Sequence, residues 1–244
     1  GRPFHLAAKF GRTSTVRALV AAGASLNIRD DEGWTPLQKA CSYWPVFPIP
    51  ELVAVLVAAG ADIHVSNPVP PNNSPLSLAA RAGCLRTIRL LLNAGASART
   101  PSGVWGPLHG AVWGQTAETR CDCVVALLRA GADVNALDDC GRSPLMFAID
   151  MESTRSGSRR LISTLLRAGA RLPAADTSYR RSEPAFSHEL IPYIDAIRRA
   201  GGYARYETMR RAPFITALTR CGGFPIPDDM ISIVVGFWVR RALQ

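Results

Sequence analysis

The chain has 244 residues, 48% of them hydrophobic, and a formal net charge of +9 at neutral pH. This length supports a sizeable buried core, and no run of 18 apolar residues occurs that could span a membrane. The motifs of phosphate-binding loops, zinc proteases and nucleophile elbows are also missing, so the sequence predicts neither an enzyme nor a cofactor.

A unit that recurs five times dominates the first 172 residues. Each unit opens on a proline before a short apolar segment and closes on Ala-Gly-Ala. The opening prolines are Pro3, Pro36, Pro75, Pro107 and Pro144, and the closing glycines are Gly23, Gly60, Gly95, Gly131 and Gly169. Consecutive glycines are 37, 35, 36 and 38 residues apart. A period in this range predicts a stacked array of repeats and not one compact globule.

The second unit illustrates the fold expected of each repeat. Thr35 is a natural N-cap, and Pro36 suits a first helical turn because its missing N–H would have no partner there. Leu52 and Leu56 share one face of a second helix, and Gly60 ends that helix with a left-handed residue. The pattern therefore predicts a helix, a tight turn, a second helix and a hairpin-like loop.

These units resemble the ankyrin repeat. The matching segments include RPFHLAAKFGRTSTVRALVAAGASLNIRD, SPLSLAARAGCLRTIRLLLNAGASA and VVALLRAGADVNALDDCGRSPL. The resemblance implies an all-α ankyrin-repeat solenoid over residues 1–172, with repeats at about 1–29, 30–66, 67–100, 101–137 and 138–172. It also implies that His5 and His109 tie neighbouring loops together by hydrogen bonds.

Other polar residues of the array have predicted structural roles. Asn27 and Asn135 follow second helices, where a side-chain amide can hold a turn. Asp30-Asp31-Glu32 and Asp138-Asp139 lie at hairpin tips, and turn formation explains them better than paired catalytic carboxylates.

The cysteines give little sign of metal binding. Cys41 takes a small-residue position and is predicted to be a buried thiol, whereas Cys121-x-Cys123 is a weak metal motif, so no metal site is predicted. Cysteine usage favours a reducing intracellular compartment, cytoplasmic or nuclear. An organelle stays open, because Gly1 is not a Met and already lies inside a repeat, so a targeting signal could precede it.

The repeat pattern stops after residue 172. Residues 173–187 are a linker by composition, and residues 188–244 are predicted to form a helical tail that caps the array or docks another protein. A helix is expected over HELIPYIDAIRRAGG, with Leu190, Ile194 and Ile197 on one face. From Arg155 onward, 15 Arg stand against 7 Asp and Glu, and such a basic end can contact nucleic acid or remain a solvated surface.

The last segment of the tail, FPIPDDMISIVVGFW, has a resemblance of its own. It is similar to the closing element of the SOCS box and, more loosely, to the opening of an F-box, both of which dock ubiquitin-ligase scaffolds. Ala217 stands where the SOCS box has Leu. The alternative interpretation, a hydrophobic helix that caps the array, needs no such match. The possible docking residues are Phe224, Pro225, Ile226, Pro227, Met230, Phe237 and Trp238.

The binding surface is predicted to be a concave face built from first helices and hairpin tips. Aromatic and Arg residues are common in interface hot spots and are frequent at these positions. The predicted partner-binding residues are Phe10, Asp31, Glu32, Trp34, Lys39, Tyr43, Arg81, Trp105, Trp113, Asp139, Arg142, Phe147 and Met151. The sequence thus predicts a non-catalytic protein-interaction module that acts as a scaffold, an adaptor or a stable subunit of a larger assembly. The alternatives are a ubiquitin-ligase substrate adaptor that docks through its tail and an Arg-mediated RNA-contacting subunit.

Overall fold

All secondary structure in the described part of the chain is helical. The computed structural model describes residues 3–42, 48–66, 73–101, 103–114, 117–150, 158–172 and 190–209. The chain divides into two compact units, Gly1–Phe186 and Ser187–Gln244. No helix among the described residues is long and apolar enough to cross a membrane.

The first unit contains successive helix pairs. They are α1 (Pro3–Lys9) and α2 (Thr13–Ala21), α3 (Pro36–Cys41) and α4 (Pro50–Ala58), α5 (Pro75–Ala82) and α6 (Leu85–Asn93), α7 (Pro107–Trp113) and α8 (Ala117–Arg129), and α9 (Pro144–Asp150) and α10 (Ser158–Arg167). First helices pack on first helices of the adjacent repeats, and second helices pack on second helices. The predicted all-α solenoid is confirmed, and each first helix begins at its predicted proline.

The ends of the helices follow from local chemistry. The Thr35 N–H donates to Gln38 Oε1 at 2.9 Å, and the Gln38 N–H donates to Thr35 Oγ1 at 3.3 Å, which closes a capping box before α3. Gly60 has a φ of 94°, the left-handed conformation expected after α4. Leu37 and Cys41 of α3 and Leu52 of α4 are buried, so both helices turn an apolar face to a shared core.

Asparagine side chains link one repeat to the next. Asn27 Oδ1 accepts the Asp62 N–H at 2.8 Å, and Asn135 Oδ1 accepts the Arg171 N–H at the same distance. The predicted hold of these amides on the backbone thus acts on the next repeat, and at Asn135 the local turn is fixed by Asp133, which accepts the Asn135 N–H at 2.9 Å.

The third and fourth repeats approach each other very closely. A Cβ atom at Gly110 of α7 would lie 2.9 Å from the Ser77 carbonyl oxygen and 3.4 Å from the Arg81 nitrogen, both in the backbone of α5. Because neither backbone atom can move without shifting α5, only glycine fits between the two helices.

The second unit is described over residues 190–209. Helix α11 (Leu190–Arg199) agrees with the predicted tail helix, and Ile194 and Ile197 are buried as expected. Residues 203–209 are also helical, and Tyr206 packs edge to face on Tyr193 with ring centroids 5.6 Å apart.

Candidate functional site

The side of the array that carries α1, α3, α5, α7, α9 and the hairpin loops is called the inner face below. Two groups of side chains stand out on it. The Lys39 cluster consists of Asp30, Glu32, Trp34 and Lys39, at the start of the second repeat. The Arg142 cluster consists of Trp105, His109, Trp113, Asp138, Arg142 and Phe147, where the fourth repeat meets the fifth.

The Lys39 cluster is built on a hairpin turn. Asp30 Oδ1 accepts the N–H groups of Glu32 and Trp34 at 3.0 and 2.9 Å, which fixes the turn. Lys39 Nζ, one turn into α3, lies 3.0 Å from Asp30 Oδ2 and 2.7 Å from Glu32 Oε2. The same ammonium stands 4.9 Å from the centre of the Trp34 ring, within range of a cation–π contact. One cation thus joins the helix to the hairpin.

The charges in the Lys39 cluster reinforce each other. Burial alone would raise the pKa of Asp30, but the bond from the Trp34 N–H and the contact with Lys39 outweigh it and lower that pKa. Burial alone would lower the pKa of Lys39, but its bonds to Glu32 and Asp30 outweigh it and raise that pKa. Both groups are therefore charged at neutral pH.

The Arg142 cluster uses the same turn with a different cation. Asp138 Oδ1 accepts the N–H groups of Cys140 and Arg142 at 2.9 and 2.7 Å. Asp138 Oδ2 accepts from Nε of Arg142 and pairs with its Nη2, each at 3.1 Å. The guanidinium carbon lies 4.2 Å from the centre of the Phe147 ring. Arg142 is therefore held by a carboxylate and stacked on an aromatic ring at the same time.

Aromatic rings from two repeats meet in the Arg142 cluster. The Phe147 ring centre lies 4.9 Å from Trp105, 6.0 Å from His109 and 6.2 Å from Trp113, all in edge-to-face geometry. Phe147 is only 2% exposed, so the prediction that it faces outward is wrong. The rings of the fourth repeat and the Arg142 guanidinium surround it. Trp113, 39% exposed, is the ring of this cluster that solvent reaches most.

A histidine from the preceding repeat supports each hairpin. His5 Nε2 lies 2.9 Å from the Trp34 carbonyl oxygen, and His109 Nε2 lies 3.1 Å from that of Arg142. The Gly106 N–H donates to Nδ1 of His109, so Nε2 carries the proton and donates. The implied tie between loops is confirmed for both histidines. Burial lowers the pKa of His109 despite its bond to Arg142, which keeps the ring neutral.

Several side-chain contacts of the inner face are not predicted by the sequence. Gln38 takes the histidine position of the second repeat and donates to the Asn73 carbonyl oxygen at 2.8 Å. Asp30 and Asp138 were predicted to form turns, which they do, but not to hold Lys39 and Arg142. At both sites the sequence has a D-x-x-G turn followed by a basic residue, and this pattern indicates the ion pair.

The remaining predicted binding residues are spread along the inner face. Phe10 is 49% exposed, Arg81 is half-buried, and Asp31, Glu32 and Asp139 are exposed. Several predicted residues lie outside the described residues: Tyr43, Met151 and the possible docking residues Phe224, Pro225, Ile226, Pro227, Met230, Phe237 and Trp238.

Two cysteines of the array, Cys41 and Cys123, are buried in its core. Cys41 is buried as predicted, and burial raises its pKa far above the ordinary range. Burial raises the pKa of Cys123 to about 12. Burial therefore favours the neutral thiol in both residues. Asp138, Asp139 and Cys140 lie close enough to share an ion, but both oxygens of Asp138 already bond its turn and Arg142.

Comparison with known families and proteins gives consistent matches. Residues 4–43 match a family model described as ankyrin repeats (many copies), and residues 46–138 match one described as ankyrin repeats (3 copies). The ankyrin repeat and KH domain-containing protein mask-1 of Caenorhabditis elegans is 28% identical over 80% of this chain and 7% of its own length. The B-cell lymphoma 3 protein homolog of Mus musculus is 32% identical over 69% of this chain and 36% of its own length.

A plant relative matches a shorter stretch. The putative E3 ubiquitin-protein ligase XBAT35 of Arabidopsis thaliana is 33% identical over 36% of this chain and 18% of its own length. The chain thus spans much less than two thirds of each of these relatives.

Proposed function

The chain belongs to the ankyrin-repeat family, and from that premise we propose that it is a non-catalytic adaptor or stable subunit whose inner face binds a partner protein. Ankyrin repeats are generally protein-interaction modules. The repeats expose a continuous surface of helices and loop tips, which is where stacked arrays commonly bind.

The observation that carries this proposal is the Arg142 cluster. Interface hot spots are enriched in Trp and Arg that are held rigidly and are largely desolvated when the partner binds. Trp113 packs on Phe147 and Trp105, and Arg142 is fixed by Asp138, so both are ordered before any partner arrives. Binding of a partner here therefore costs these two side chains little additional conformational entropy.

Further exposed apolar residues extend the surface to the first repeat. Leu6 on α1 and Phe10, which directly follows that helix, are 45% and 49% exposed. Single exposed apolar residues are ordinary, but these lie on the same inner face as Trp113. A partner segment that contacts both ends would run along the inner helices, past Lys39 and Arg81.

The proposal is tested by photo-crosslinking in the intact chain. A photoreactive phenylalanine analogue replaces Phe10 on the inner face or, as a control, Met209 in the second unit, which is 64% exposed. We expect a specific crosslinked protein only from position 10, and we expect Trp113→Ala to abolish it while the chain stays folded by circular dichroism. A crosslinked partner that survives Trp113→Ala, or that forms equally from position 209, would refute inner-face binding.

A substrate adaptor for a ubiquitin ligase is the second candidate. It is supported by the name of the plant relative and by the resemblance of residues 224–230 to the closing element of the SOCS box. If it is correct, removing residues 222–244 will release cullin-type scaffold proteins from the purified complex while the inner-face partner stays bound. Unchanged recovery of such scaffolds, or their absence from the intact complex, would exclude this role.

A further inference from the structure

The side of the array opposite the inner face, formed by the solvent-exposed surfaces of α2, α4, α6, α8 and α10 and the turns after them, is called the outer face. In the third to fifth repeats this face is strongly basic. Its exposed arginines are Arg86, Arg89, Arg99, Arg129, Arg160, Arg167 and Arg171. Among the side chains described there, the exposed acids are Asp122 and Asp133.

The arginines form one band and are not scattered. Arg86 and Arg89 are three residues apart on α6, and Arg160 and Arg167 are seven apart on α10, spacings that place each pair on one side of its helix. Arg129 of α8 stands two residues before Gly131, the position that Arg167 holds before Gly169. The band therefore continues from α6 across α8 to α10.

Among the side chains described in the band, the exposed acids are fewer than the exposed arginines. Arg86 pairs with Glu51 of the second repeat at 3.4 Å, but the two side chains are 78% and 58% exposed, so water screens the contact. The Asp133 carboxylate accepts the Asn135 N–H and belongs to its own turn. A net positive field remains over three repeats.

Among the side chains described on α6, α8 and α10, no large apolar residue is fully exposed. The exposed large hydrophobic residues described in the chain are Leu6, Phe10, Trp113, Leu137 and Met209, and none of them is on α6, α8 or α10. Protein interfaces usually have an apolar core with a polar rim, and helices that bind membranes insert apolar side chains. A phosphate backbone needs neither, because release of counterions supplies most of the affinity.

The residue type and the dimensions suit phosphates. All but two of the 28 basic residues of the chain are Arg, whose planar guanidinium can bind phosphate through two hydrogen bonds. Packed helices lie about 8–10 Å apart, so α6 to α10 spans about 20 Å. One strand of a duplex presents about six phosphates over that distance.

We infer that the outer face of the third to fifth repeats binds the phosphate backbone of nucleic acid, without reading its sequence. This leaves the inner face free, so the chain can hold a protein on one side and a nucleic acid on the other. The site lies on the folded repeats and does not depend on the basic residues beyond residue 172.

The first repeat provides a matched control. Arg17 of α2 stands six residues before Gly23, as Arg89 of α6 stands six before Gly95, and both are exposed. Arg12 precedes α2 and is also exposed. Replacing Arg12 and Arg17 by Gln removes the same charge as replacing Arg89 and Arg129, but outside the band.

The experiment measures binding of the full chain to a fluorescent RNA duplex of about 20 base pairs over a range of salt concentrations. We expect Arg89→Gln with Arg129→Gln to weaken binding several-fold and to reduce the slope of log K against log salt by about two, one for each lost phosphate contact. Arg12→Gln with Arg17→Gln should leave that slope nearly unchanged. Thermal unfolding curves will check that both double variants are folded.

Three results would overturn the inference. The first is no binding of the intact chain even at low salt, and the second is an equal loss in the two double variants. The third is binding to polyglutamate, or to vesicles of anionic phospholipid, as tight as binding to the duplex and equally sensitive to Arg89→Gln with Arg129→Gln. Loss of the crosslinked protein partner bears only on the inner face, so the two proposals fail separately.

Discussion

The hairpins that open the second and fifth repeats hold the same two kinds of group in opposite places. In the second repeat the ring, Trp34, is on the hairpin and the cation, Lys39, is on α3. In the fifth repeat the cation, Arg142, is on the hairpin and the ring, Phe147, is on α9. Lys39 and Phe147 each stand three residues after the opening proline of their repeat.

The common part of the two hairpins is an aspartate. Asp30 and Asp138 each accept two backbone N–H groups with one oxygen and bind the cation with the other. The turn therefore depends on the carboxylate, whereas the order of ring and cation is free to change. The neighbouring side chains determine the surroundings of each residue. Phe147 is enclosed by Trp105 and Trp113, whereas Lys39 lies between Asp30 and Glu32. The same turn thus supports a rigid aromatic site in one repeat and a charged one in another.

The sharpest test of this contrast substitutes the two equivalent helix positions. We expect Phe147→Ala to lower the free energy of unfolding by about 3–5 kcal/mol, because a buried ring leaves a cavity among three aromatic side chains. Lys39→Ala should cost about 1–2 kcal/mol, since it frees two acids of which one is exposed. Urea denaturation of both variants measures the difference. Equal losses of unfolding free energy in the two variants would contradict the expected contrast between the clusters.

The second test removes the aspartate from each turn. Asp138→Ala should cost about 2–3 kcal/mol, because it leaves two N–H groups and a stacked guanidinium without their acceptor. Asp30→Ala should cost less, since Lys39 keeps its 2.7 Å contact with Glu32. Unfolding curves in urea at neutral pH give both values. A larger loss for Asp30→Ala would show that the Lys39 cluster is the more tightly held.

The smallest expected effect concerns the histidine behind the Arg142 hairpin. The folded state lowers the pKa of His109 below its ordinary 6.5, mainly by burial, so its contribution to stability is complete above that pH and is lost as the pH falls below it. His109→Gln, which installs the side chain found in the second repeat, should flatten the fall in stability between about pH 7.5 and about pH 5.5. His64→Gln, at an exposed position, is the control. An unchanged pH profile in His109→Gln would contradict this account.

Much of the fold could be predicted from local chemistry. Prolines at helix starts, glycines after second helices and the N-cap at Thr35 act within a few residues, and the structure has them as expected. The roles of His5 and His109 were available through the ankyrin resemblance. Each of these features is determined by its own repeat and recurs with it.

Features that depend on the neighbouring repeat were harder to predict. The pattern placed Phe147 on the inner face, but could not show that Trp105 and Trp113 of the preceding repeat would cover it. Nor did it show that Asn27 reaches the backbone of Asp62, 35 residues away. Such contacts arise from the stacking, which no single repeat encodes. Whether the inner-face residues bind a partner stays a prediction.

The glycine at position 110 has a consequence for how this array can evolve. Repeats of one family are often gained or lost whole, because each new unit meets its neighbours through a common surface. The contact between the third and fourth repeats differs from such a common surface, because α5 packs directly on the backbone of Gly110. A transplanted unit with any side chain at that position would clash with the backbone of Ser77. The third and fourth units are thus expected to be duplicated, deleted or exchanged as a pair, with recombination tolerated on either side of them but not between.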